Sequence, residues 1–143
     1  MRKIHLLTLS LLLIPALAHA QDYQGLYTSE TGQSLQLSLS STGPDSYDLD
    51  LSTTVAMVGN QPGCGGGISG PITITDNQAL LQVENEGYDP ASPISLSNAK
   101  LCEISLSFDG EYTVQLEELG GCGYYHGAAC SFTGTVIHDA AGL

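Results

Sequence analysis

The sequence has no tryptophan, only two phenylalanines and only three Lys or Arg residues among its 143. With so few large rings, any core must be built from aliphatic side chains and the seven tyrosines. With so few cations, nucleic-acid binding through phosphate neutralisation is excluded. The longest apolar run, Leu6 to Ile14, is too short for a bilayer-spanning helix, which needs about 20 residues. Motifs of known chemistry are missing too: there is no Gly-x-Ser-x-Gly elbow or zinc-protease helix motif, and no Asp-x-[Asp/Asn]-x-[Asp/Asn]-Gly calcium loop.

What is present is acid, small polar residues and four cysteines. Fifteen Asp and Glu give a formal net charge of −12, while 42% hydrophobic content is enough to build a core rather than a disordered chain. The length allows one domain. Arg2 and Lys3 precede the apolar run, Pro15 breaks it, and Ala18-His19-Ala20 has the small-x-small form cleaved by signal peptidase. Residues 1–20 therefore read as a secretory leader cut after Ala20, and residues 21–143 as a single domain. No cysteine follows the apolar run to take a lipid. Beyond residue 20, Lys100 alone faces all fifteen acids, leaving −14. The leader resembles a bacterial export signal, so the expected compartment is the periplasm or the medium, with no membrane in the mature form.

Alternation of period two recurs along the rest of the chain, the pattern of half-buried strands. The runs are Tyr23–Tyr27, Leu35–Leu39, Tyr47–Val55, Ile68–Ile74, Ala79–Val83, Cys102–Phe108, Tyr112–Leu116 and Cys130–Val136. The first and last share a device: Tyr23-x-Gly25-x-Tyr27 and Phe132-x-Gly134-x-Val136 put a glycine at an inward position, where a closing sheet must bend. The expected fold is all-β: an eight-stranded antiparallel up-and-down barrel with strand one closing on strand eight. A two-sheet sandwich is the alternative. Twenty-four Ser and Thr beyond residue 20 suit the outward faces.

Asp76-Asn77 and Asp109-Gly110 are hairpin-type links. The long connections, Met57 to Gly67, Asn85 to Lys100 and Glu118 to Ala129, all fall at one end of such a meander. Long loops on a rigid scaffold commonly carry function. The Gly63-Cys64-Gly65-Gly66-Gly67 run lacks the Lys-Ser/Thr of a phosphate loop and reads as a tight turn.

Cys64, Cys102, Cys122 and Cys130 gather at that same end. Pairing Cys102 with Cys130 would span an intervening strand, roughly 9–10 Å. Of the two remaining schemes, Cys64–Cys102 with Cys122–Cys130 is the expectation, the second bond clipping the loop that holds Tyr124, Tyr125 and His126. Cys122, His126 and Cys130 do not match zinc spacing, so no metal or cofactor is expected.

His126 and His138 are the only histidines beyond residue 20. Ser131 beside His126 is weak ground for a triad. Glu84/Glu86 and Glu117/Glu118 are paired acids, but no aromatic sugar cleft accompanies them. The residues point away from an enzyme. Aromatic groups on a short rigid loop make good protein anchors, and here those are Tyr124 and Tyr125 with His126. The competing reading is that one tyrosine plugs the barrel mouth. Glu84, Glu86, Glu117 and Glu118 rim the same end and would steer a cationic partner.

The ending Gly121-Cys122-Gly123-Tyr124-Tyr125-His126-Gly127-Ala128-Ala129-Cys130-Ser131-Phe132-x-Gly134, with the leader, eight strands and Cys64/Cys102, resembles small disulfide-stapled β-barrels of Gram-negative envelopes, among them the periplasmic lysozyme inhibitors. The resemblance implies a non-enzymatic protein that blocks a cationic cell-wall hydrolase, a lysozyme or amidase, with a protruding loop. The inhibitors' short Ser-Gly-x-x-Tyr motif is not matched. Its nearest counterpart, Ser69-Gly70-Pro71-Ile72-Thr73, ends in threonine and falls on a predicted strand. Two other readings stand beside this one: a lipocalin-like binder of a small apolar ligand, and an envelope structural or stress protein with no dedicated ligand.

Overall fold

The computed structural model describes residues 21–29, 33–110 and 112–142. Residues 1–20, where a leader is expected, lie outside the described residues. Eight antiparallel strands follow in order: β1 Gly25–Thr28, β2 Ser34–Gly43, β3 Ser46–Val55, β4 Cys64–Thr73, β5 Gln78–Glu84, β6 Leu101–Asp109, β7 Thr113–Gly120 and β8 Gly134–His138. They form one sheet in the order β4-β3-β2-β1-β8-β7-β6-β5. Strand one closes on strand eight, with Tyr27 opposite His138 and Thr28 opposite Ile137. The result is a nearly closed barrel of the expected meander, and the two-sheet alternative does not apply.

The inward residues form one packed cluster that includes Tyr27, Leu37, Leu51, Ile104, Val114 and Phe132. Fully burying side chains of this size stabilises the fold by about 1.5–3 kcal/mol each. The glycines of the closing strands make room for neighbouring side chains. A methyl on Gly25 would overlap the His138 ring, and one on Gly134 would press on Leu35 Cδ1. That leaves His138 room to stack edge-on against Tyr27, centroids 4.7 Å apart. The end carrying the short turns is closed by Tyr23, whose ring packs on Phe108 at 4.5 Å and on Tyr47 at 6.3 Å. Its hydroxyl donates to Asn77 Oδ1 at 2.5 Å.

The barrel's break lies between β4 and β5. Asp76 and Asn77, at φ 52° and 61°, make the expected tight turn, and Thr75 pairs with Gln78. The ladder then stops. Pro71 has no N–H to give on the face β4 turns toward β5, which suits an edge position. Inside the break, Leu81 and Val83 lean over Gly70: a methyl there would sit 3.0 Å from Leu81 Cδ1 and 3.4 Å from Val83 Cγ2.

Two expectations need correction. The glycine run is no turn: Cys64–Gly67 is the start of β4, paired with Ser52–Val55 of β3. The disulfides are Cys64–Cys130 and Cys102–Cys122, not the pairs expected from the sequence. The loop after β7 does not fold back on itself. It crosses the mouth to β4, carrying Cys130 to Cys64, while Cys122 stays opposite Cys102 across the β6–β7 hairpin. With the partners 66 and 20 positions apart in sequence, loop closure alone predicts contributions of about 4 and 3 kcal/mol. Two disulfides fit an oxidising, extracytoplasmic compartment, and among the described residues no helix is long and apolar enough to cross a membrane.

Candidate binding site

The long connections do meet at one end, and the segment 121–133 organises it. Gly121, at φ 75°, sits so close to the Leu101 carbonyl that a methyl would overlap it. A single turn of 3-10 helix, Cys122–Tyr124, follows. The chain then adds to β4 as a short antiparallel partner. His126 bridges Gly66, Gly67 N–H donates to the Tyr125 carbonyl at 2.9 Å and Gly127 N–H to the Gly65 carbonyl at 3.3 Å. A side chain on Gly66 would run into the Tyr125 carbonyl and His126 Cβ. The dense glycines are thus explained by close approach of a loop.

Tyr125 is half-buried and packs against the core, and its hydroxyl donates to the Glu84 carbonyl at the end of β5 at 2.7 Å. Burial first, then the Glu86 carboxylate, raises this hydroxyl above its ordinary 10.0. Tyr124 is 51% exposed. Its ring lies over Gly87, where a methyl would overlap the hydroxyl. One tyrosine therefore braces the mouth and the other faces outward.

His126 is committed to the interior of the loop. Nε2 meets Glu118 Oε2 at 3.0 Å and Nδ1 meets the Gly127 carbonyl at 2.9 Å, and the ring stacks edge-on against Phe132 with centroids 5.0 Å apart. Glu118 Oε2 also accepts Ser131 Oγ at 3.3 Å and Phe132 N–H at 3.1 Å. Ser131 donates to the carboxylate rather than facing the imidazole, so the geometry is that of a brace. Glu117 is exposed on the outer face of β7 and is not among the residues that line the groove of Tyr124 and Tyr125.

The structure thus brings together Tyr124, Tyr125, Glu84 and Glu86, and sets Glu118 with His126 apart as a brace. The first four line a groove of about 520 Å³ along the β4–β5 break, together with Asp50, Gly67, Ile68, Ser69 and Val83. Asp50 was missed by the sequence reading. It stands on the outer face of β3 opposite Ser69, a register set by an eight-residue connection that no turn motif dictates.

The 85–100 connection is built, not loose. Buried Asn98 donates through Nδ2 to the carbonyls of Asp89, Ser92 and Pro93 at 3.0–3.1 Å and accepts Asp89 N–H at 2.8 Å. Asn85 donates to the carbonyls of Ala99 and Gly121, each at 2.8 Å, tying this loop to 121–133. The Ser92 hydroxyl and Ala91 N–H hold the Asp89 carboxyl below its ordinary range. The tip presents Ile94 and Leu96, 81% and 90% exposed, and Leu96 shares a shallow apolar cleft with Tyr124. Exposed aliphatic side chains on a braced loop are the anatomy of a contact surface.

Comparison with protein-family models, curated proteins and solved structures returns no match.

Proposed function

We propose that this chain is a non-enzymatic envelope protein that captures a cationic protein at its long-loop end, a basic cell-wall hydrolase of lysozyme or amidase type. One observation carries the reading: the acidic side chains Asp50, Glu84 and Glu86 line the same groove as Tyr124 and Tyr125. Acids steer a basic partner and repel anionic ones. Tyr124 and Leu96, held by Asn98 and Asn85, lose little entropy on contact. A lipocalin-like ligand would need a hollow interior, whereas the inward positions here pack as one cluster.

The test uses the oxidised protein and a purified cationic lysozyme. Stoichiometric loss of lysozyme activity is expected, weakened more than tenfold by Tyr124→Ala or by Glu84→Gln with Glu86→Gln, and weakened by salt. Asp76→Asn at the opposite end should change nothing. No capture of lysozyme or of a purified amidase at low salt would sink the reading. Capture indifferent to Tyr124 and equal for any basic protein would reduce it to bulk charge.

A further inference from the structure

The break in the barrel has two unsatisfied edges. Along β4, direction alternates: Ile74 N–H turns toward β3 and donates to the Asp45 carbonyl, whereas Gly65 and Gly67 turn away from β3 and bond the 121–133 loop. Ser69 therefore also turns its N–H and C=O into the break, where no described residue pairs with them. On β5, Asn85 N–H just past the strand donates to Lys100 on the β6 side. Leu80 and Gln82, in phase with Glu84, turn their backbone groups toward the break. An edge of this kind is a template for a further strand. The molecule already uses it so: Tyr125–Gly127 is added to β4 through the Gly66–His126 bridge, and the added stretch ends just short of Ser69.

The acids decide what fits the next stretch of edge. Glu84 turns outward on β5 at the break, Asp50 stands one strand behind β4, on the outer face of β3 opposite Ser69, Glu86 lies just beyond β5, and all three line the groove with no cation among its lining residues. A volume of about 520 Å³ lies within the roughly 300–1,000 Å³ of ligand sites, room for a few residues of extended chain. A second copy of this chain is a poor occupant, because fifteen acids against three Lys or Arg would meet their like.

We propose that the β4 edge at Ser69 binds an extended, lysine- or arginine-bearing peptide segment by strand addition, its cations paired with Asp50, Glu84 and Glu86. This rests on the reading of a cation-binding protein and adds the mode of recognition: an exposed basic terminus or loop of the partner, read through its backbone. The arrangement also accounts for Pro71, which limits how far an added ladder can run.

The probe is a synthetic peptide of about seven residues alternating lysine and threonine, titrated into the oxidised protein. Its counterparts are the glutamate version and a version methylated on alternate backbone nitrogens. Binding of the lysine peptide is expected, with protection of the Ser69 amide from exchange, at least tenfold weaker binding of the methylated peptide, and none of the glutamate peptide. Ser69→Pro, whose side chain is exposed, should weaken binding by a similar factor. Equal binding of the methylated peptide, or an unprotected Ser69 amide, would overturn the proposal without needing the variant to fold. A β4-edge dimer seen by sedimentation would overturn it as well. If lysozyme is captured normally by Ser69→Pro and the peptide fails, strand addition is wrong and the proposed function stands. If the peptide binds and no hydrolase does, the edge is right and the partner class is wrong.

Discussion

The Tyr125 hydroxyl and the Glu84 carbonyl meet at 2.7 Å across the break in the barrel. The Tyr125 carbonyl meanwhile accepts Gly67 N–H on β4 at 2.9 Å. One residue thus ties together the two strands that fail to pair with each other. Tyr125→Phe keeps the ring and removes the β5 tie, at an expected cost of about 0.5–1.5 kcal/mol. Urea unfolding measures that loss, and amide exchange should quicken along Leu80–Glu84 while β2 and β3 stay unchanged. Equal exchange in both proteins would mean that Leu81 and Val83 close the break by themselves.

Two tyrosines make the protein sensitive to alkali. Burial, followed by the neighbouring Tyr47, Asp22 and Tyr23, lifts the Tyr27 hydroxyl far above its ordinary 10.0, and Tyr125 is raised too. In each case the folded state holds the proton more tightly than the unfolded chain. The resulting stability is fully present below about pH 10 and is lost as pH rises past it, at up to about 1.4 kcal/mol per pH unit for the buried Tyr27 hydroxyl, with the more exposed Tyr125 adding less because solvent screens it. Unfolding free energy should stay level from pH 7 to 9 and fall between 10 and 12, with a shallower slope in Tyr27→Phe. Absorbance at 295 nm would follow the ionisations, and a slope unchanged by that substitution would refute the assignment.

The strands were legible because most inward residues alternate with polar ones such as Ser, Thr, Asp or Gln, and the Asp76-Asn77 turn was legible because few residues take positive φ there. The disulfides were not. The β6–β7 ladder pairs Asp109 with Thr113 and, past the register shift at Glu103/Ile104, Glu103 with Gly120, so its continuation brings Cys102 level with Gly121, one residue from Cys122. Extending the hairpin pairing toward that end would have favoured the observed pair. The path of Cys130 had no such local signal, since the loop is drawn to β4 by backbone bonds to glycines that carry no pattern. For the same reason Tyr124, Tyr125, Glu84 and Glu86 could be placed at one end, but their meeting with Asp50 and the β4 edge could not be foreseen.

Adjacent glycines in β4 should respond differently to one added methyl. At Gly66 it would overlap the Tyr125 carbonyl and His126 Cβ, whereas at Gly65 the nearest atom is the Thr53 carbonyl oxygen at 3.9 Å. Gly66→Ala is expected to lose about 1–3 kcal/mol by overpacking and to expose the Gly67 amide to exchange. Gly65→Ala should be neutral or gain about 0.4–1 kcal/mol from a stiffer unfolded chain. Thermal unfolding of the two variants decides this, and equal losses would mean that the loop does not rest on β4.

Glu117 and Glu118 offer a sharper contrast, because they are identical in chemistry and adjacent in sequence. Glu117 is exposed on the outer face of β7. Glu118 Oε2 accepts His126 Nε2, Ser131 Oγ and Phe132 N–H, so its removal strands several donors at a side chain only 19% exposed. Glu118→Ala should cost about 1–3 kcal/mol, and Glu117→Ala no more than about 0.5 kcal/mol. If Glu118 is a brace and not a contact residue, Glu118→Ala should disturb the His126 ring signals, while lysozyme capture should weaken only as far as the loop loosens. Capture lost in Glu118→Ala with the loop signals intact would instead place Glu118 at the partner's surface.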